Sequence, residues 1–156
     1  MFHIVDDMDF IWKKITAILK EHGYEAISFG CPKDYISFVN SPDFRNPIAV
    51  FTDVTLPGIT GYEMINIASE LKPDLKFVIT AGGPKVRSEY IDRACMYLAR
   101  PFTPDHLMEV VDSLIQCHDS FPSESHGCSS VDNRRILPIE NWSCPLRSKN
   151  CSSDCI

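Results

Sequence analysis

The chain has 156 residues, enough for one domain with a proper core and little besides. Its 44% hydrophobic and 23% charged content is ordinary for a globular protein, and a formal net charge of −6 without any basic stripe argues against general nucleic-acid binding, because phosphate backbones are held by clustered Lys and Arg. No apolar run approaches the length of a membrane span, and the start MFHIVDD lacks the basic, apolar and cleavage regions of a secretory signal, so a cytoplasmic protein without membrane attachment is expected.

Along the chain, short apolar runs alternate with amphipathic ones. Phe2 to Val5 is an apolar run that stops at two acids, as a buried parallel strand would. Residues 9–22 place Ile11, Ile15, Ile18 and Leu19 at helical spacing, with Gly23 as the stop. Tyr24 to Phe29 reads as the second strand, and Pro32 suits the first turn of a helix carrying Tyr35, Phe38 and Val39. Ile48 to Thr52 is a third strand running into Asp53, followed by a loop rich in Pro and Gly up to Gly61. Met64, Ile67, Ala68 and Leu71 mark a third helix, and Lys76 to Thr80 a fourth strand. A fourth helix is predicted over about 84–93, then a fifth strand from Met96 to Ala99. Thr103 caps and Pro104 starts a last helix whose buried face carries Leu107, Val110, Val111, Leu114 and Ile115. Five βα units of this kind predict an α/β domain: a doubly wound, five-stranded parallel sheet with helices on both faces. Functional residues then belong just beyond the carboxyl ends of the strands.

The chemically suspicious residues stand at those ends. Asp6 and Asp7 follow the first strand and Asp53 the third. Taken singly each is an ordinary strand-end acid. Together they bring three carboxylates into one crevice, and a hard divalent cation such as Mg2+ relieves their repulsion, binding through one or two carboxylates plus a phosphate. Thr80 and Arg100 end the fourth and fifth strands, so a hydroxyl and a cation face the same crevice and could neutralise phosphoryl oxygens.

These residues, in the segments VDD (5–7), DVTLPGITGYE (53–63), Thr80-Ala81 and YLARPF (97–102), resemble the receiver domain of two-component response regulators over about residues 1–117. The resemblance implies a flavodoxin-like, CheY-like fold and a signalling phosphoacceptor rather than an enzyme, at most phosphorylating itself and shedding the phosphate. Asp53 would take the phosphoryl group from a sensor histidine kinase or phosphotransfer protein. Asp7 and Asp53 would ligate Mg2+ directly, Asp6 through water, and Thr55 through its backbone carbonyl. Thr80 and the Ala81 amide would hold the phosphoryl group, Tyr97 would be the aromatic switch that moves inward with Thr80, and the Arg100–Pro101 peptide would be cis. Output would pass by contact with an unidentified downstream protein through the face near the fourth and fifth helices, and a homodimer is left open. The chain departs from the pattern at Arg100, where the family has lysine; guanidinium is planar, longer and bidentate. Thr55, two residues after the acceptor, stands at the position that tunes phosphate lifetime, and the absence of a second acid there speaks against a phosphoaspartyl hydrolase.

Residues 118–156 form a Ser-, Cys-, Pro- and Asn-rich tail holding Cys128, Cys144, Cys151 and Cys155, while seven cysteines in all suggest free thiols in a reducing compartment. A zinc or iron–sulfur site in the tail is one reading, although CPLRSKNCSSDC is not a C-x₂-C pair. A Ser-rich tail with incidental cysteines is the other, with Ile136, Leu137, Ile139 and Trp142 able to dock on the domain. The tail motivates an alternative function, a degenerate receiver serving as a docking or redox- and metal-sensing module.

Overall fold

Short runs of β-branched and aromatic residues, too short for helices and flanked by turn residues, form the strands, and the periodic segments between them form the helices. The computed structural model describes residues 1–82 and 94–120. In chain order the elements are β1 (Phe2–Val5), α1 (Asp9–Glu21), β2 (Ala26–Phe29), α2 (Pro32–Val39), β3 (Val50–Asp53), α3 (Gly61–Leu71), β4 (Phe77–Ala81), β5 (Met96–Ala99) and α4 (Pro104–Ser120). The helix predicted over about 84–93 and the tail beyond residue 120 lie outside the described residues. The strands make one sheet in the order β2-β1-β3-β4-β5, parallel throughout. The chain winds outward from β1 to β2, then returns to β3 on the other side of β1, so the switch point lies between β1 and β3.

The central strands β1, β3 and β4 are buried on both faces, the edge strand β2 only partly, and alternate residues feed two separate cores. Phe2, Ile4, Phe51, Val78 and Leu98 pack with Ile11, Ile15 and Leu19 of α1 and with Leu107, Val110, Val111 and Leu114 of α4. Val5, Val50, Phe77, Ile79 and Tyr97 pack with Tyr35 and Val39 of α2 and with Met64, Ile65 and Ala68 of α3. At about 25 cal/mol per Å² of apolar surface, two such layers supply the main stabilising term.

Three differences from the sequence expectation have local causes. β2 starts at Ala26 rather than Tyr24, because the Tyr24 amide turns back to donate to the Leu19 carbonyl at 2.9 Å and so ends α1 instead of joining the sheet. β3 extends to Asp53, whose register partner on β4 is Thr80. In α3 the buried face is Gly61, Tyr62, Met64, Ile65 and Ala68, while Ile67 and Leu71 are exposed. The close approach of Gly61 to β3 sets that rotation, described below. A reciprocal cap between Thr60 and Glu63 starts the helix.

His3 is the one polar residue in β1, and it is fully buried. Its ring lies within 6.3 Å, centroid to centroid, of Phe29, Tyr35, Phe38 and Phe44. Its Nδ1 lies 3.3 Å from the Tyr35 hydroxyl, and its Nε2 has no partner. Burial, helped by the N-terminal ammonium, lowers its pKa from 6.5 to about 4. Unfolding releases the ring to its ordinary value, so between these two pH values the unfolded chain binds the extra proton. Stability therefore falls as pH drops from 6.5 towards 4 and this contribution levels off below. At about 1.4 kcal/mol per pH unit the loss approaches roughly 3 kcal/mol. Urea unfolding at neutral pH and near pH 4.5 checks this. His3→Leu is expected to remove most of the difference, and an equal pH dependence in the two proteins would refute the assignment to His3.

Candidate functional site

The parallel register decides which side chains meet at the carboxyl edge of the sheet. Val5 pairs with Thr52, so Asp6 and Asp53 emerge side by side from β1 and β3. Asp53 pairs with Thr80, and Ala81 with Ala99, which carries Arg100 to the same edge. Carboxylate oxygens of Asp6, Asp7 and Asp53 all lie within 4.8 Å of one another. Asp6 is buried, Asp53 nearly so, and Asp7 exposed.

Each buried carboxylate is held by the backbone beside it. The Met8 amide donates to Asp6 Oδ1 at 2.9 Å, and the Val54 amide to Asp53 Oδ1 at 2.7 Å. Burial raises the Asp6 pKa, the Met8 amide and Arg100 oppose that rise, and the charges of Asp53 and Asp7 add to it.

Arg100 supplies the countercharge. Its Nη2 forms an ion pair with Asp53 Oδ1 at 2.7 Å and shares its two protons among Asp6 Oδ2 at 3.2 Å, the Thr80 carbonyl at 3.0 Å and Thr80 Oγ1 at 3.2 Å. Among the described residues its Nη1 reaches only the Met8 sulfur, at 3.7 Å, a weak acceptor. Its Nε is buried without a hydrogen-bond partner. The Thr80 hydroxyl is buried and donates to the Thr52 carbonyl at 3.4 Å. Tyr97 points inward, buried, with its hydroxyl donating to the Ala81 carbonyl at 3.3 Å. Thr55 stands exposed in the loop after β3. The Arg100–Pro101 peptide is cis, as expected. After it, Lys14 of α1 donates to the Phe102 carbonyl at 2.7 Å and lies over the Phe102 ring.

The structure thus brings together Asp6, Asp7, Asp53, Thr80 and Arg100, with Ala81 and Tyr97 directly behind. Cys128, Cys144, Cys151 and Cys155 lie outside the described residues. Among the described residues no helix is long and apolar enough to cross a membrane.

A model of the response regulator receiver domain matches residues 2–112. The chain belongs to that family. As a receiver of the two-component type it is 27% identical to an uncharacterized response regulatory protein of Vibrio cholerae, over 87% of this chain and 60% of that protein. It is 26% identical to the transcriptional regulatory protein FixJ of Rhizobium meliloti, over 70% of this chain and 54% of that protein. The receiver chain therefore spans little more than half the length of these relatives. Its fold matches the chemotaxis response regulator CheY4 of Vibrio cholerae with a TM-score of 0.65 at 17% identity, over 72% of this chain and 96% of that one. It also matches a CheY-like receiver domain protein of Methanospirillum hungatei with a TM-score of 0.66 at 22% identity, over 76% and 96%.

Two contributors to the receiver site escaped the sequence reading. Met8 works through its amide and its sulfur, neither of which a residue type announces. Gly61 was legible only as a loop residue. A Cβ built there would stand 1.9 Å from the Asp53 carbonyl oxygen, and the Gly61 amide donates to the Val54 carbonyl at 2.9 Å. Only glycine lets α3 rest on the backbone that carries Asp53. Gly61→Ala is expected to cost roughly 1–3 kcal/mol, as other overpacked contacts do, and to shift the amide signals of Asp53 and Val54. Denaturant unfolding and NMR chemical shifts check this, and an alanine variant of native stability with unmoved signals would contradict it.

Proposed function

We propose that this receiver accepts a phosphoryl group on Asp53 from a histidine kinase or phosphotransfer protein and signals by protein–protein contact. The observation that carries the reading is the meeting of Asp53 with two further acids, a buried hydroxyl and a guanidinium at one sheet edge.

Asp53 Oδ1 is occupied by the Val54 amide and by Arg100, whereas Oδ2 receives no hydrogen bond among the described residues. Oδ2 is therefore the attacking atom. Its O–P bond forms as the P–N bond of the donor phosphohistidine breaks, and the electron pair of that bond stays with the imidazole, which takes a proton from water. Thr80 Oγ1 and the Arg100 donors, including the buried and unpartnered Nε, stand ready for the phosphoryl oxygens, with the Ala81 amide beside them. When the Thr80 hydroxyl turns to a phosphoryl oxygen it leaves the Thr52 carbonyl, and Tyr97, already buried behind it, holds the inward arrangement.

The donor set suits Mg2+: three carboxylates, all hard oxygen ligands, with Asp7 free of other bonds among the described residues. Asp53 and Asp7 would hold the ion directly, with the Thr55 carbonyl, and Asp6, whose two oxygens are already bonded, through water. Bound there, the ion supplies the charge that lets an anionic phosphoryl donor approach three carboxylates.

Incubation of the 156-residue chain with MgCl2 and acetyl phosphate, followed by intact-mass measurement, tests the reading. The native protein is expected to gain the mass of one phosphoryl group, and Asp53→Asn to gain none. No gain in the native protein, or an undiminished gain in Asp53→Asn, would overturn it.

A further inference from the structure

We infer that Arg100 is an internal competitor of the divalent cation, so that the acid pocket exchanges a tethered guanidinium for a metal ion. This rests on the reading of the pocket as a cation site given above.

Four observations carry it. One nitrogen, Nη2, sits between the two buried carboxylates, 2.7 Å from Asp53 Oδ1 and 3.2 Å from Asp6 Oδ2. Those contacts take up Asp6 Oδ2 and crowd Asp53 Oδ1, which already accepts from the Val54 amide, so that side of Asp53 is closed to an ion while Arg100 is in place. A second positive charge entering beside the guanidinium meets like-charge repulsion in a largely buried setting, where screening is weak. Finally, the anchorage is one-sided. Among the described residues Nη2 makes all the strong contacts, while Nη1 meets only the Met8 sulfur and Nε meets no acceptor, so withdrawal from them breaks mainly the bonds of a single nitrogen.

Loading the pocket therefore means that Nη2 leaves Asp6 and Asp53, and the released guanidinium is free to turn its empty Nε and Nη1 towards an arriving anion. By linkage, whatever Arg100 gains from the carboxylates is subtracted from the affinity for the ion. The ion threshold of this receiver is set by a residue of its own chain.

The test uses the unphosphorylated full chain, so it stands apart from whether Asp53 accepts phosphate. Calorimetric titration with MgCl2 is expected to show Arg100→Ala binding the ion at least about fivefold more tightly than the native protein. In the native protein, the guanidinium protons of Arg100 are expected to lose exchange protection in NMR spectra as MgCl2 saturates the site, a change that a merely long-range charge effect would not produce. Three results would each overturn the proposal: equal or weaker binding by Arg100→Ala, Arg100 protons that stay protected at saturation, or no binding by either protein. The NMR arm needs only the native chain, so it remains decisive if Arg100→Ala does not fold.

Discussion

The carboxyl edge of this sheet depends on the contact between one guanidinium nitrogen and two buried carboxylates. Three aspartates converge there, and two of them are largely shut off from water. Desolvation alone pushes Asp6 towards its neutral form. The Met8 amide and then the charge of Arg100 oppose that push. Such a bridge is a poor device for stability as such, because well-packed apolar residues of similar volume often serve as well or better. Removing one partner is a different matter, costing about 3–5 kcal/mol where the remaining charge is fully buried. The members of the cluster have the types that the proposed phosphoryl transfer would use.

Geometry follows from topology. Because every strand pair is parallel, all five carboxyl ends share one edge, and because β3 lies between β1 and β4, Asp53 stands between the acids of β1 and the hydroxyl of β4. β5 sits at the far side, beyond β4, three strand spacings from β1. At about 4.8 Å per spacing, a residue following β5 must cross much of the sheet edge to reach Asp6. Arginine is the longest cationic side chain and makes that crossing, lying over Thr80 and bonding its carbonyl and hydroxyl on the way.

Much of this was legible in the sequence, for identifiable reasons. α1 was read correctly to its buried face because Ile11, Ile15, Ile18 and Leu19 are unambiguous at a period of 3.6 and Gly23 ends the run. The parallel sheet was legible because its strands are apolar on both faces. α3 was read one step off, since its rotation is fixed by the backbone of Asp53 against Gly61, a tertiary contact that no periodicity contains. His3 passed as part of an apolar run, because its neutral state depends on Phe29, Tyr35, Phe38 and Phe44, three of which lie more than thirty positions away. The acids were legible by their place at strand ends, but the bridge between them was not: nothing in the letters at position 100 says which carboxylate a guanidinium will choose.

That choice separates arginine here from the lysine of the family pattern. An ammonium is a compact, strongly hydrated point charge that engages a nearby acceptor and tolerates water around it. A guanidinium is weakly hydrated and planar, and it can keep one nitrogen among acceptors while its other donors stay empty, as Nε does here. The unpartnered Nε is uncomfortable in isolation, because a buried donor without an acceptor costs about 1–3 kcal/mol. An anion placed beside Asp53 would relieve that cost while satisfying its own oxygens. The same residue that bridges the acids thus also carries an unmet need for an acceptor, which the phosphoryl group of the proposed function would answer.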